Sequence, residues 1–89
     1  MSSLYGFAYS EQSLAYLKTL QPKVRKQIIA KVQALALNPF PPTVKIVQGM
    51  TEGEERVNRI RSGDYRILYV VRGIIIIILD IDHRKDVYR

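Results

Sequence analysis

The chain has 89 residues, with 14 lysines and arginines, 8 aspartates and glutamates, and no cysteine. This length predicts one domain, residues 1–89, and the lack of cysteine excludes disulfides and thiolate metal sites. The net charge of +6 favours a polyanionic partner: nucleic acid, an anionic membrane surface or an acidic protein. No apolar run approaches the roughly 20 residues of a membrane span, and no secretory signal is visible. We therefore expect a cytoplasmic protein that does not enter the membrane.

Apolar spacing in the first half predicts one strand and two helices. The short aromatic segment Tyr5–Tyr9 favours a strand. Ser10 is a suitable helix N-cap, and the leucines that follow predict a helix over Glu11–Leu20. A second amphipathic helix is predicted over Pro22–Leu37, because proline suits a first helical turn and an asparagine–proline pair ends the pattern.

The middle of the chain is less regular. Val44–Val47 fits either a short strand or a simple return to the sheet. The polar segment Gly49–Glu55 holds an acidic cluster, and we interpret it as a solvated loop. The basic residues of the second helix are interpreted in the same way, as a solvated surface. They are Lys23, Arg25, Lys26 and Lys31.

The last third predicts three strands in consecutive antiparallel hairpins. The strands are Arg56–Arg61, Tyr65–Val71 and Ile74–Asp82, with glycine-containing turns at Ser62–Asp64 and Arg72–Gly73. Six apolar residues in a row, Ile74–Leu79, place the last strand inside the sheet rather than at an edge. The predicted fold is therefore α+β, in the order β-α-α-β-β-β, with an antiparallel sheet and a helical hairpin on one face.

Strand alternation predicts that three arginines share a face. Arg59 and Arg61 point away from Ile60, and Arg66 points away from Ile67. If both isoleucines face the helices, all three arginines project from the other side of the sheet. Exposed arginines also decorate ordinary solvated sheets, so the pattern alone leaves both readings open.

The closing residues interleave cations with aromatic rings, from His83 and Arg84 to Tyr88. Such a surface can hold phosphates while a ring stacks on a base. A single histidine without cysteine argues against a metal site, and no cofactor is expected. No nucleophile–base arrangement or phosphate-binding glycine loop is apparent. RNA cleavage by the RNA's own 2′-hydroxyl fits what remains, since it needs only a proton acceptor, positive charge and a proton donor.

Two motifs then resemble a known family. RSGDYRILY stands at 61–69 and HRKDVY at 83–88. Together with the element order they resemble the RelE branch of the RelE/ParE superfamily, toxins of prokaryotic toxin–antitoxin pairs. The resemblance spans nearly the whole chain. It implies a RelE-like fold and a ribosome-dependent mRNA endoribonuclease, which inhibits translation by cutting the codon in the decoding site of the small subunit without a metal.

The resemblance also implies residue roles. Arg66 would stabilise the phosphorane, and Arg84 would stabilise charge or protonate the leaving oxygen. Tyr88 would stack on a base or assist the 2′-hydroxyl, and Arg59 would contact the scissile phosphate. Three further residues are implied to bind RNA: Arg61, His83 and Lys85. A basic position of some relatives is Val57 here, which leaves the general base unassigned, with His83 as a substitute.

The resemblance further implies partners. Relatives are held inactive by an antitoxin, usually acidic, whose helix and strand wrap the toxin, and a charge of +6 suits such a partner. Operator DNA would be bound only through the antitoxin. Two alternatives keep the fold: a ParE-like inhibitor of DNA gyrase without nuclease activity, and an inactive RNA-binding module.

Overall fold

The computed structural model describes residues 5–83, in which two helices pack on one face of a five-stranded sheet. The elements are β1 (Gly6–Tyr9), α1 (Glu11–Lys18), α2 (Pro22–Ala34), β2 (Lys45–Glu52), β3 (Glu55–Ser62), β4 (Tyr65–Arg72) and β5 (Ile75–His83). The strand order is β1-β5-β4-β3-β2. The predicted α+β class is confirmed. The sheet is mixed, however, because β1 pairs parallel with β5 while the other pairs are antiparallel.

Strand β2 settles the open alternative and corrects the loop prediction. It begins at Lys45 and continues to Glu52, so the first half of the expected loop Gly49–Glu55 is strand. Pairing with β3 provides its backbone partners, with a register shift between Ile46 and Thr51. The strand propensity of this polar sequence is weak, and only the neighbouring strand makes it extended.

Each antiparallel hairpin closes with a two-residue turn that begins with glycine. Gly53, Gly63 and Gly73 have φ of 62°, 60° and 59°, and no other described residue type has a positive φ. A left-handed first residue followed by an ordinary one is typical of type II′ turns, whose twist matches the flanking strands. Ile74, predicted to start the last strand, is the second turn residue and is 69% exposed.

The two helices are joined by an arginine that the sequence analysis placed on a solvated surface. Arg25 donates from Nε to the carbonyl of Leu17 at 3.0 Å and from Nη2 to the carbonyl of Leu20 at 2.8 Å. The last carbonyls of a helix lack intrahelical partners, and a cation there also complements the helix dipole. The solvated interpretation of Arg25 was therefore wrong.

Both helices end earlier than predicted. At the end of α2 the backbone bonds change to the tighter three-residue spacing, with the amide of Leu37 donating to Ala34 at 3.3 Å. The side chain of Asn38 then accepts from the amide of Phe40 at 3.1 Å, which turns the chain toward β2.

The main core lies between the helices and the sheet. Its buried members are Leu17, Ile28, Val32, Leu35, Ile60, Ile67, Tyr69, Ile76, Ile78 and Ile81. Strand β5 lies between β1 and β4, as its isoleucine run predicted. Tyr69 Oη donates to the carbonyl of Pro39 at 2.6 Å, which ties the connector after α2 to the core.

Candidate nucleic-acid interface

The register of the two neighbouring strands β3 and β4 brings the predicted arginines to one face. Arg61 lies opposite Arg66, and Arg59 lies opposite Leu68. Directly opposed residues of an antiparallel pair share a face. Ile60 and Ile67 form the adjacent pair and belong to the core beneath the helices. The expected alternation is confirmed, and we call the side of the sheet that carries these three arginines the arginine face.

The arginine face is not purely cationic. Arg66 lies opposite Asp82 on β5, and its Nε donates to Asp82 Oδ1 at 3.4 Å. Both side chains keep about a quarter of their surface, 22% and 24%, exposed. A partly solvated pair of this kind is worth roughly 0–1 kcal/mol, so a phosphate can compete for the guanidinium. The pair orients Arg66 without closing it to an anionic ligand.

A bulge in β5 places a second carboxylate on the same face. The register shifts between Leu68 and Tyr69, so that Leu79 is an extra residue and Asp80 lies opposite Leu68. Bulges of this kind re-aim side chains and are common beside functional sites. The carbonyl of Leu79 accepts from Ser10 Oγ at 2.7 Å, so the N-cap of α1 also holds the bulge.

Asp80 has an altered ionisation. Its pKa is raised, first by burial and then by the neighbouring charge of Asp82. Three contacts act in the opposite direction: the amide of Ile81, which donates to Asp80 Oδ1 at 3.0 Å, a side-chain hydrogen bond with Gln12 of α1, and the charge of Arg66. A carboxylate whose pKa is raised is a better proton acceptor than an ordinary aspartate when it is ionised.

The other end of the arginine face is apolar. Val57 and Val70 are 1% and 0% exposed, and both lie outside the core beneath the helices. The motif comparison marked position 57 as one where some relatives carry a cation. In this chain the position is buried, so a charge there would have to be desolvated. Packing explains why valine suits it.

His83 lies on the opposite side of the sheet from Arg66. It is paired with Tyr65, and the two rings meet edge to face with centroids 4.8 Å apart. Tyr65 in turn contacts Tyr16 of α1, with centroids 6.4 Å apart. The structure therefore brings His83 to the helix side and not to the three arginines. The remaining predicted site residues lie outside the described residues: Arg84, Lys85 and Tyr88.

Sequence reasoning missed two lysines near this face. Lys45 lies directly opposite Arg59 in the register of β2 and β3. Lys31 of α2 lines the same depression as Arg59 and Arg61. The sequence signal for Lys45 would have been its place in β2, but that strand was left open. No sequence signal pointed to Lys31, because the sequence of a helix does not show which strand a given side chain will lie near.

Two negative findings concern the described residues. Among residues 5–83, no three histidine, aspartate or glutamate side chains gather where they could hold a metal ion. Neither of the helices seen in this part of the chain is long and apolar enough to cross a membrane.

Comparison with solved structures shows the same fold in RelE toxins. The archaeal RelE–RelB complex from Pyrococcus horikoshii OT3 matches at a TM-score of 0.77 and 26% identity, over 91% of this chain and 96% of that one. The RelB–RelE complex from Methanococcus jannaschii matches at a TM-score of 0.68 and 27% identity, over 90% of this chain and 93% of that one. The toxin–antitoxin complex RelBE2 from Mycobacterium tuberculosis matches at a TM-score of 0.74 and 23% identity, over 91% of this chain and 99% of that one.

Sequence comparison gives a family. No curated protein matches this chain. The model of the family described as "ParE toxin of type II toxin-antitoxin system, parDE" matches residues 8–88, which is nearly the whole chain. The protein therefore belongs to this ParE toxin family, within the RelE/ParE superfamily of type II toxin–antitoxin systems, and it has the RelE fold.

Proposed function

We propose that this toxin is a metal-independent endoribonuclease that enters the small ribosomal subunit, cuts the message in the decoding site and so stops translation. The observation that carries the proposal is the shared face of Arg59, Arg61 and Arg66, which come from two adjacent strands. Guanidinium groups hold phosphate oxygens in fixed geometry, and a sheet fixes their spacing.

In the proposed reaction the 2′-oxygen attacks the adjacent phosphorus and loses its proton. The bond from phosphorus to the 5′-oxygen then breaks, leaving a 2′,3′-cyclic phosphate and a 5′-hydroxyl. Arg66 stabilises the charge that develops on the phosphorane, while Arg59 contacts the scissile phosphate and Arg61 the backbone beside it. In the RelE resemblance Arg84 protonates the leaving oxygen or stabilises its charge.

The proton acceptor is the step that the resemblance left open. We assign it to Asp80, which the bulge places on the arginine face two residues from the carboxylate that orients Arg66. Burial favours the neutral form of this side chain and so raises its pKa, which strengthens it as a base. Asp80→Asn keeps the shape and removes the base, and should lower cutting by roughly 10²- to 10⁴-fold.

The partners follow from the family and the charge. The solved relatives include complexes of RelE with RelB, and this toxin is proposed to bind a cognate acidic antitoxin in the same manner. Operator DNA is then reached through the antitoxin. Lys85 remains a proposed RNA contact and Tyr88 a proposed stacking residue. His83 also remains a proposed RNA contact, but from the helix side of the sheet and away from the three arginines. Action on ribosomes places the toxin in the cytoplasm.

A second function is favoured by the family's own description. The matching family is named for ParE, and a ParE-like toxin would inhibit DNA gyrase without cutting RNA. Such a protein has no need of a proton acceptor on the arginine face. The two proposals therefore differ in the expected effect of Asp80→Asn: the substitution slows RNA cutting by a nuclease, and it leaves the activity of a gyrase inhibitor unchanged.

Cell-free translation separates the two functions. The purified protein should block synthesis and leave cuts at defined codons of ribosome-bound mRNA, mapped by primer extension, while the same RNA without ribosomes stays intact. Gyrase supercoiling is measured in parallel. Intact mRNA with impaired supercoiling would replace the nuclease proposal by the gyrase one, and no effect in either assay would exclude both.

A further inference from the structure

A depression of about 270 Å³ lies beside the arginine face, between α2 and the edge of β3 that faces β2. Four of its lining residues are cations and the other two are neutral. They are Lys31, Thr43, Lys45, Arg59, Ile60 and Arg61. We call this depression the cationic cleft.

The cleft exists because β2 and β3 are offset, with a register shift between Ile46 and Thr51. Strand β2 begins at Lys45, opposite Arg59, so the end of β3 from Ile60 to Ser62 has no partner from β2. Ile60 is 2% exposed and belongs to the core, which makes it a fixed floor. The cations therefore converge from three directions: helix α2, the start of β2 and the end of β3.

The charges of the cleft are not neutralised. None of its lining residues is acidic. Among residues 5–83 the ion pairs are Arg66 with Asp82 and Arg72 with Glu55, and neither involves a cation of the cleft. Like charges held together without a counterion repel one another, and a concave site focuses their field on an anion that enters.

A smaller cavity of about 120 Å³ continues from the cleft and shares Lys31, Thr43 and Ile60 with it. Its other lining residues are less polar, with Leu35 and Pro41 beside the amide of Asn38. A phosphate alone would fill only the cationic part. An anion that carries a sugar or base could use both parts, which favours a nucleotide unit over a free inorganic ion.

We propose that the cationic cleft binds a phosphodiester of single-stranded RNA, as a second phosphate subsite beside the scissile one. The inference deepens the proposed nuclease function and rests on it for the source of the RNA. Arg59 lies in both sites, so an RNA strand could run from Arg66 across Arg59 to Lys31 and Lys45. The phosphate belongs to the message or to ribosomal RNA, which present the same chemistry.

Binding to an RNA that cannot be cut tests the subsite independently of the nuclease. The probe is a fluorescent single-stranded 2′-O-methyl oligoribonucleotide, which has no attacking hydroxyl, and its Kd is measured by anisotropy over a salt series. The test protein carries Lys31→Ala with Lys45→Ala. The control carries Lys23→Ala with Lys26→Ala, which removes the same charge from exposed positions of α2.

The cleft pair should weaken binding by roughly three- to tenfold and reduce the slope of log Kd against log salt by about 0.7 for each lost phosphate contact. The control should bind as the parent does, apart from a small non-specific loss. Equal losses in the two variants would overturn the subsite, and so would a loss confined to antitoxin binding. A defect on ribosomes but not on the oligonucleotide would assign the cleft to ribosomal RNA.

The outcomes remain distinguishable from those of the proposed function. Cleft-dependent binding without any cutting would remove the nuclease and leave the subsite. Cutting that is unchanged in rate at saturating ribosomes but needs more toxin in the cleft variant would support both. All variants are compared for melting temperature first, since the four lysines are exposed and their loss should leave the fold unchanged.

Discussion

On the helix side of β4, Ile67 and Tyr69 have no exposed surface, whereas Arg66 and Leu68, their neighbours along the same strand, are partly exposed on the arginine face. On β4 the helix side carries Tyr65, Ile67, Tyr69 and Val71, all of which belong to the core or pack against it. The arginine face combines guanidinium groups and two carboxylates at one end with buried valines at the other. The contrast shows how one strand can bury alternate residues in the core and present the residues between them on the opposite face.

Removing a side chain from the helix side should break the fold most severely. Ile67→Ala leaves a cavity in the centre of the core and should cost about 2–5 kcal/mol of unfolding free energy. Urea unfolding followed by circular dichroism measures the loss. Leu68→Ala, one residue along and on the arginine face, is the matched control and should cost less than half as much. Equal losses would mean that the two faces contribute alike to stability.

Removing a charge from the arginine face should act on activity instead. Arg66→Ala should slow mRNA cutting by roughly 10²-fold or more, the scale for losing one charge-stabilising donor, with a small change in melting temperature. Arg72→Ala is the control, because Arg72 lies on the same strand and pairs with Glu55 at 2.8 Å, far from Arg66 along the strand. If both variants cut equally well, Arg66 has no catalytic role.

A buried hydroxyl on the helix side gives a smaller effect. Tyr69→Phe leaves the carbonyl of Pro39 without its donor and should cost about 1–3 kcal/mol. Chemical unfolding at neutral pH measures this cost. A loss near zero would show that water replaces the phenol at this carbonyl.

Alkaline pH tests the same tyrosine. Burial raises the pKa of Tyr69 from 10.0 to about 12. Because the unfolded chain releases the proton first, the contribution of Tyr69 is complete below about pH 10 and is lost as the pH rises from about 10 to 12. Unfolding free energies across this range should fall less steeply in Tyr69→Phe than in the parent, and parallel curves would contradict the assignment.

The smallest expected effect on the unfolding free energy is that of Asp80→Asn. The pKa of Asp80 is raised in the fold, because the folded protein disfavours its charged form. The contribution of Asp80 to the unfolding free energy is therefore complete at acid pH and is lost as the pH rises through the pKa of the folded state. Asp80→Asn should therefore stabilise the fold slightly at neutral pH, by less than about 1 kcal/mol since solvent screens the site. Below about pH 3, where the aspartate is neutral, the gain should vanish.

Asp80→Asn also separates a functional role of this carboxylate from a structural one. A residue that lowers the stability of the fold is typical of a functional site. If Asp80→Asn stabilises the protein at neutral pH and leaves mRNA cutting unchanged, Asp80 is not the proton acceptor. Its position beside the bulge would then have a cause other than catalysis.

Local pattern determined much of the architecture. The proline and serine signals set where the helices begin, glycines set the two turns at Gly63 and Gly73, and the isoleucine run set β5 inside the sheet. Period-two alternation set the common face of Arg59, Arg61 and Arg66, because it depends only on which neighbours are apolar. The motifs around Arg66 and His83 were sufficient to identify the superfamily.

Tertiary structure decided what depends on partners distant in sequence. The parallel pairing of β1 with β5, the extension of β2 and the bulge at Leu79 are set by neighbouring strands and by Ser10, 69 residues away along the chain from the carbonyl it contacts. The role of Arg25 at the end of α1, the position of His83 on the helix side and the gathering of Lys31 and Lys45 follow from packing. Backbone polar groups and charged side chains interact with residues that are close in the folded structure, and the sequence pattern identifies each residue but not its neighbours in the fold.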